Sequence, residues 1–213
     1  MKVSIYDTDA NRYWNPIGLD FSGTNGPASF VSAAFVGLSS GAWTYNPFGF
    51  NAALINGHSY VVTSSGTDTI GNVQVGTSSQ TFVFDSSAPA SAIVNPANGV
   101  ARNSLTVING TALDLPVSPK SVGLSQVALQ IVDLGDDHLV GGVDTAADGY
   151  WNGTLFIAGS STITVAASGT GVQPWSYDNP DNMWLDGHTY RLRSTPRDLL
   201  LNVGPTVTSQ FVF

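Results

Sequence analysis

The 213-residue chain has no cysteine, no glutamate and only two lysines. The absence of cysteine excludes disulfides, thiolate catalysis and cysteine-based zinc or iron–sulfur sites. Glutamate and lysine favour helices and are scarce in strands, whereas Ser, Thr, Gly, Asn and Val dominate this chain. The composition therefore predicts an all-β protein and argues against an all-helical or Rossmann-type fold.

Charge is also scarce, because charged residues make up 10% of the chain and the formal net charge is −8. Seven basic residues cannot form a stripe that grips phosphates, so we expect no nucleic-acid partner. No apolar run reaches the roughly 18 residues of a membrane span, so we expect no membrane insertion. Residues 1–7 lack the apolar core of a signal peptide, which leaves either a protein that is not exported or an export signal outside this sequence.

The chain contains two segments that align with each other. Residues 57–60, Gly-His-Ser-Tyr, match residues 187–190, Gly-His-Thr-Tyr. The further matching blocks, in the same order along the chain, are residues 3–7 with 129–133, 13–15 with 150–152, 43–46 with 175–178, and 79–84 with 209–213. This order predicts two copies of one unit, with domains at residues 1–86 and 87–213.

The two predicted copies differ at their beginnings. Strand-like residues 92–96 and 104–112 precede the matched part of the second copy, and nothing comparable precedes the first. We therefore expect the first domain to begin at its third strand. The missing strands would lie upstream in a longer chain, or another chain would supply them.

Alternating apolar and polar residues predict half-buried strands. Tyr190 and Leu192 would face one way, with Arg191 and Arg193 facing the other. Glycine paired with Asn or Asp predicts turns at residues 56–57, 71–72, 98–99, 109–110, 148–149 and 186–187.

About seven strands in roughly 110–125 residues are typical of an immunoglobulin-like β-sandwich. The sequence therefore predicts two tandem domains of this kind, the first lacking its opening strands. Because the disulfide of antibody domains is absent, we expect aromatic residues to fill the space between the sheets. The best candidates are Trp43 with Tyr45, and Trp175 with Tyr177.

Several short motifs carry a family resemblance. Residues 108–114 read Ile-Asn-Gly-Thr-Ala-Leu-Asp, residues 149–153 read Gly-Tyr-Trp-Asn-Gly, and residues 82–89 read Phe-Val-Phe-Asp-Ser-Ser-Ala-Pro. In this order they resemble the bacterial immunoglobulin-like (Big-type) tandem repeats of large cell-surface and extracellular proteins. Residues 196–202 depart from the pattern, because they lack the glycine that Gly71 provides in the first copy.

The resemblance implies a non-enzymatic structural or adhesive module, located outside the cell or on its surface. It also implies that the partners are further copies of the protein itself or neighbouring immunoglobulin-like repeats.

The sequence predicts no catalytic residue. His58 and His188 recur at equivalent positions, which favours a structural role, and no histidine pair has the spacing of a metal site. No Gly-x-Ser-x-Gly elbow is present. A hydrolase would require facing carboxylates on sandwich loops and is the least favoured class.

Two binding functions remain as alternatives to a purely structural role. Acidic loop residues are candidate calcium ligands, although aspartates also form turns: Asp133, Asp136, Asp137, Asp144 and Asp148. Trp184 is a candidate for stacking on the sugar rings of surface glycans. These features would suit a carbohydrate- or calcium-binding adhesin module.

Overall fold

The computed structural model describes residues 1–25, 29–37, 40–135 and 149–213. Within these ranges the chain forms eighteen strands, one four-residue helix α1 (Phe50–Ala53) and one 3₁₀ turn (Asp181–Met183). The predicted all-β class is confirmed. None of the helices in these ranges has the length and apolar character that crossing a membrane requires.

The contacts divide the chain into two compact units. The first unit contains Met1–Ser86 together with Ser118–Lys120, and the second contains Ser87–Val117 and Ser121–Phe213.

The first unit has one main sheet and one separate hairpin. The main sheet has the order β3-β2-β1-β7-β8, with β4 also paired to β1, while β5 pairs only with β6. The strands are β1 (Lys2–Asp7), β2 (Arg12–Asn15), β3 (Asp20–Gly23), β4 (Val31–Ser32), β5 (Ala34–Gly37), β6 (Gly41–Thr44), β7 (Ser59–Ser65) and β8 (Ser78–Val83).

The second unit has two larger sheets. One has the order β10-β18-β17-β12-β13-β14, with β15 also paired to β12, and the other has the order β16-β11-β9. The strands are β9 (Ala90–Asn95), β10 (Val100–Ala101), β11 (Val107–Leu113), β12 (Leu124–Asp133), β13 (Gly149–Trp151), β14 (Phe156–Ile157), β15 (Ile163–Gly169), β16 (Gln173–Asp178), β17 (Thr189–Asp198) and β18 (Val207–Val212).

The predicted alternation is present in the long strands of the second unit. Val127, Leu129 and Ile131 of β12 are fully buried, as are Tyr190 and Leu192 of β17. This core takes side chains from both sheets, because Ile108 of β11 and Trp175 of β16 belong to the same apolar cluster.

The apolar core of the first unit is smaller. Its buried members among the described residues are Val3, Ile5, Trp14 and Tyr60. Trp43 and Tyr45, which we expected to fill this core, lie only partly buried against it.

The turn predicted at Asn109-Gly110 is wrong, because both residues lie inside strand β11. Gly110 faces Trp175 across the β11–β16 pair. A Cβ atom at Gly110 would collide with the indole ring of Trp175 and with the carbonyl oxygen of Ala92. The glycine is required here by close packing, and its local preference for turns is overridden.

The hairpin turns of β7–β8 and β17–β18 have the same hydrogen bonds, although only the first has glycine at its left-handed position. Asp68 accepts hydrogen bonds from the backbone and side-chain amides of Asn72, each at 2.8 Å. Asp198 accepts the same pair from Asn202, at 2.8 and 2.7 Å. Leu201 has φ 71° where Gly71 of the other turn has φ 95°, so a leucine adopts the left-handed conformation that favours glycine.

Leu201→Gly should raise the free energy of unfolding. A side chain in the left-handed region costs about 1–2 kcal/mol, and the greater freedom of glycine in the unfolded chain offsets about 0.5–1 kcal/mol of that. We expect a net gain of up to about 1.5 kcal/mol in chemical denaturation. The matched control is Gly71→Leu, which should destabilise, since space is open there and only backbone strain is added. A loss of stability for Leu201→Gly would contradict this account.

Candidate functional site

The two units contain matching tryptophan–tyrosine hydrogen bonds. The indole Nε1 of Trp14 donates to the hydroxyl of Tyr45 at 2.9 Å, and Trp151 Nε1 donates to Tyr177 at 2.8 Å. The predicted repeat aligns these two pairs. Each bond satisfies the polar atom of a buried indole ring, so it serves packing and not ligand binding.

Histidine–aspartate pairs also occur at matching places. His58 Nδ1 lies 2.8 Å from Asp7 Oδ2, and His188 Nδ1 lies 3.0 Å from Asp133 Oδ1. In each pair the aspartate ends a strand that lies beside the strand following the histidine. Sequence reasoning aligned the histidines with each other but did not identify the aspartate partners, although both aspartates stand at the end of an aligned block.

A third matching interaction involves a buried tyrosine at the start of β7 and of β17. The Tyr60 hydroxyl accepts the backbone N–H of Ile55 at 2.7 Å, and the Tyr190 hydroxyl accepts that of Leu185 at 2.8 Å. Burial raises the pKa of Tyr60 to about 12 and raises the pKa of Tyr190 further. These hydroxyls fix the loop before the strand.

Of the predicted calcium ligands, only Asp133 lies within the described residues. It is buried, and its Oδ1 is engaged by His188 and by the backbone N–H of Gly135 at 2.9 Å. Asp136, Asp137, Asp144 and Asp148 lie outside the described residues. The calcium expectation therefore stays a prediction.

Within the first unit, the ligand atoms of Asp7, Asp9 and His58 lie close enough together to hold a metal ion. The carboxylate groups are already engaged by protein donors. Asp7 Oδ1 accepts the backbone N–H groups of Asp9 and Ala10 at 3.0 and 2.9 Å, in addition to its contact with His58.

The Asp9 carboxylate is engaged in the same way. It accepts the backbone N–H of Ser59 at 2.7 Å and lies 3.2 Å from Lys120 Nζ. The Ser59 amide and Lys120 hold the pKa of Asp9 below its usual value. The matching amide of the second unit, that of Thr189, donates instead to the carbonyl oxygen of Gly135 at 2.9 Å. The first amide of the strand is thus bound by an acidic side chain in one unit and by a backbone carbonyl in the other.

Trp184 is buried, with 5% of its surface exposed. Its Nε1 donates to the carbonyl oxygen of Leu105 at 2.7 Å, and its ring packs edge-on against Tyr190 and Phe211. Stacking on a sugar requires an exposed ring face, so this position does not favour Trp184 as a ligand-binding residue. Its large ring fills part of the larger core of the second unit.

The feature that most distinguishes the first unit is a pair of open sheet edges, formed by β6 and β8. Within the described ranges, β6 pairs only with β5 and β8 pairs only with β7. In the second unit β16 pairs with β11, and β18 pairs with β10 in addition to β17. Both β10 and β11 come from residues 90–113.

The open edges leave apolar side chains in contact with solvent. Phe82 of β8 lies opposite Tyr60, and Phe211 of β18 lies opposite Tyr190 in the same way. Phe82 is 38% exposed, whereas Phe211 is 1% exposed. Trp43 of β6 is partly buried, whereas Trp175 is 2% exposed. Phe35, the cross-strand neighbour of Trp43, is 44% exposed. We name β6 and β8 with these side chains the open face.

No protein-family model matches this chain, and no curated protein is significantly similar to it.

Tyr60→Phe should make the free energy of unfolding fall less steeply as the pH rises above 10. The folded-state pKa of Tyr60 is raised from 10 to about 12, so the neutral phenol contributes its full stabilisation below pH 10. That contribution is lost as the pH rises through 10 towards 12. The variant should lose about 1 kcal/mol at pH 7, from the missing hydrogen bond, and show a shallower decline above pH 10.

Denaturation from pH 7 to 11.5 measures this effect. Tyr6→Phe is the stability control, because its hydroxyl makes an exposed hydrogen bond to Asn11. Identical alkaline slopes for Tyr60→Phe and the unaltered chain would contradict the assignment.

Proposed function

We propose that the chain is a non-enzymatic structural or adhesive module of a bacterial surface protein or extracellular filament. Its two units are immunoglobulin-like repeats in tandem, acting as spacers or units of assembly outside the cell. Their partners are neighbouring repeats of the same kind.

The strand arrangement of the second unit supports the immunoglobulin-like assignment. The pairing of β11 with β16 and the order β18-β17-β12-β13 correspond to the two sheets of such a sandwich. The Tyr190 hydroxyl bonds to the backbone five residues upstream, as in the tyrosine corner of that fold. Leu192 stands two residues after this tyrosine, at the place where antibody domains have the second disulfide cysteine.

The observation that carries the proposal is the parallel pairing of β10 with β18. Val100 lies opposite Phe211 and Ala101 lies opposite Val212. Gly99 N–H donates to the Gln210 carbonyl at 2.7 Å, and Arg102 N–H donates to the Val212 carbonyl at 2.8 Å.

This geometry suits a module under tension. One strand of the pair lies near the start of the unit and the other lies at its end, and the two run in the same direction. A force that pulls the two ends apart therefore drags these strands past each other and loads their hydrogen bonds together. An antiparallel pair at the same place would open one bond at a time.

Arg102→Pro should lower the force at which the second unit unfolds. Proline removes the N–H that donates to Val212, whereas the matched variant Arg102→Ala keeps that N–H and removes the side chain. The chain has no cysteine, so Ser86→Cys and a C-terminal tag attach the full chain to a force spectrometer specifically across the second unit.

We expect a clear fall in unfolding force for Arg102→Pro, a loss of about 1 kcal/mol in equilibrium stability and little change for Arg102→Ala. Equal forces for the two variants would show that the β10–β18 pair does not resist the load. Calorimetry with calcium and a glycan array test the adhesin alternative, which saturable binding of either ligand would favour.

A further inference from the structure

We propose that the open face of the first unit binds the opening strands of a further repeat, supplied from outside residues 1–213. The bound segment has the chemistry of residues 90–113 and places a glycine opposite Trp43. This inference rests on the proposed module function and names the partner of the first unit.

The second unit shows what covers such a face. Its β11 lies along β16 in the register Gly110 opposite Trp175 and Ile108 opposite Tyr177. The predicted repeat aligns Trp43 and Tyr45 with this tryptophan and tyrosine, and the Trp14–Tyr45 hydrogen bond reproduces the Trp151–Tyr177 bond. Tyr45 therefore has within the first unit the hydrogen-bond partner that Tyr177 has within the second.

The second edge supports the same occupant. In the second unit β10 extends the sheet beyond β18, and the buried hydroxyl of Ser209 donates to the Pro96 carbonyl between β9 and β10 at 3.1 Å. A single segment thus covers one edge of each sheet. In the first unit both corresponding edges, β6 and β8, are open within the described residues.

The close approach at Gly110 defines the selectivity of the site. Since a Cβ there would collide with the Trp175 ring, a strand that pairs with β6 requires glycine opposite Trp43. Ile108 and Ala112, two residues to either side, point inward and are buried. The pattern recognised is therefore a large apolar residue, then glycine, then a small residue, at alternate positions of one strand.

A second copy of this chain is not the proposed occupant. Residues 90–113 of every copy already pair with β16 and β18 of their own second unit. Donating them to a neighbouring first unit would open one face for each face that it closed. Exchange between copies therefore gains no net strand pairing.

The test titrates the full chain into a fluorescent peptide with the sequence of residues 87–117. This peptide contains one Arg and one Asp, so its affinity should change little with salt concentration. We expect saturable binding at one peptide per chain. Hydrogen exchange should slow in Gly41–Thr44 and Ser78–Val83 and stay unchanged in Gln173–Asp178.

Two variants test the glycine–tryptophan contact. A peptide with Gly110→Val should bind the unaltered chain at least tenfold more weakly, and Trp43→Ala in the chain should weaken the unaltered peptide similarly. Ile17→Ala is the matched control and should retain full affinity, because Ile17 is 93% exposed in the turn between β2 and β3. If Trp43→Ala fails to fold, the Gly110→Val peptide still decides the question.

Absence of saturable binding, or slowed exchange only in the second unit, would overturn the inference. So would chains that dimerise by exchanging their own residues 90–113, detected by sizing and cross-linking. These outcomes are separate from those of the force measurement, which loads only the second unit. The second unit can therefore prove mechanically strong while the first binds no strand, and the reverse result is equally distinguishable.

Discussion

The contact between a tryptophan ring and a glycine in the facing strand organises the second unit. Trp175 lies against Gly110, and the absence of a side chain at the glycine allows the ring to reach the neighbouring backbone. Trp175 is the largest buried side chain that the β16-β11-β9 sheet contributes to the core, beside Ile108 and Ala112, so the packing of this sheet depends on this fit. Close-packed interiors tolerate little added volume at such places.

Within the described residues of the first unit, β6 pairs with β5 and with no strand that corresponds to β11. The Trp–Tyr bond, the His–Asp pair and the buried tyrosine of this unit all match those of the second unit, because all three lie on matching strands or directly beside them. What differs is the burial of Phe82 and Trp43, whose counterparts lie beneath the opening strands. The two units thus share these local interactions, while the buried apolar core of the first unit is smaller.

Composition and alternation were sufficient to predict the all-β class. The aligned blocks contain the residues of the Trp–Tyr and His–Asp pairs. The turn predicted at Asn109-Gly110 was wrong because a local preference cannot report that an indole ring will occupy the space above the glycine. Trp184 was a candidate for stacking on sugar rings because no local pattern shows its burial. That burial involves the carbonyl of Leu105, 79 residues away in sequence, and the ring of Tyr190. The pairing of Asp7 with His58 joins two strands across about fifty residues, and no local pattern contains it.

The pairing of β10 with β18 has a consequence for biosynthesis. Val100 and Phe211 are neighbours in the sheet although more than half of the chain separates them in sequence. Long-range pairings of this kind raise contact order and slow folding. During synthesis on the ribosome, β10 therefore cannot pair with β18 until the residues around Phe211 have left the exit tunnel, and its edge stays unpaired until then.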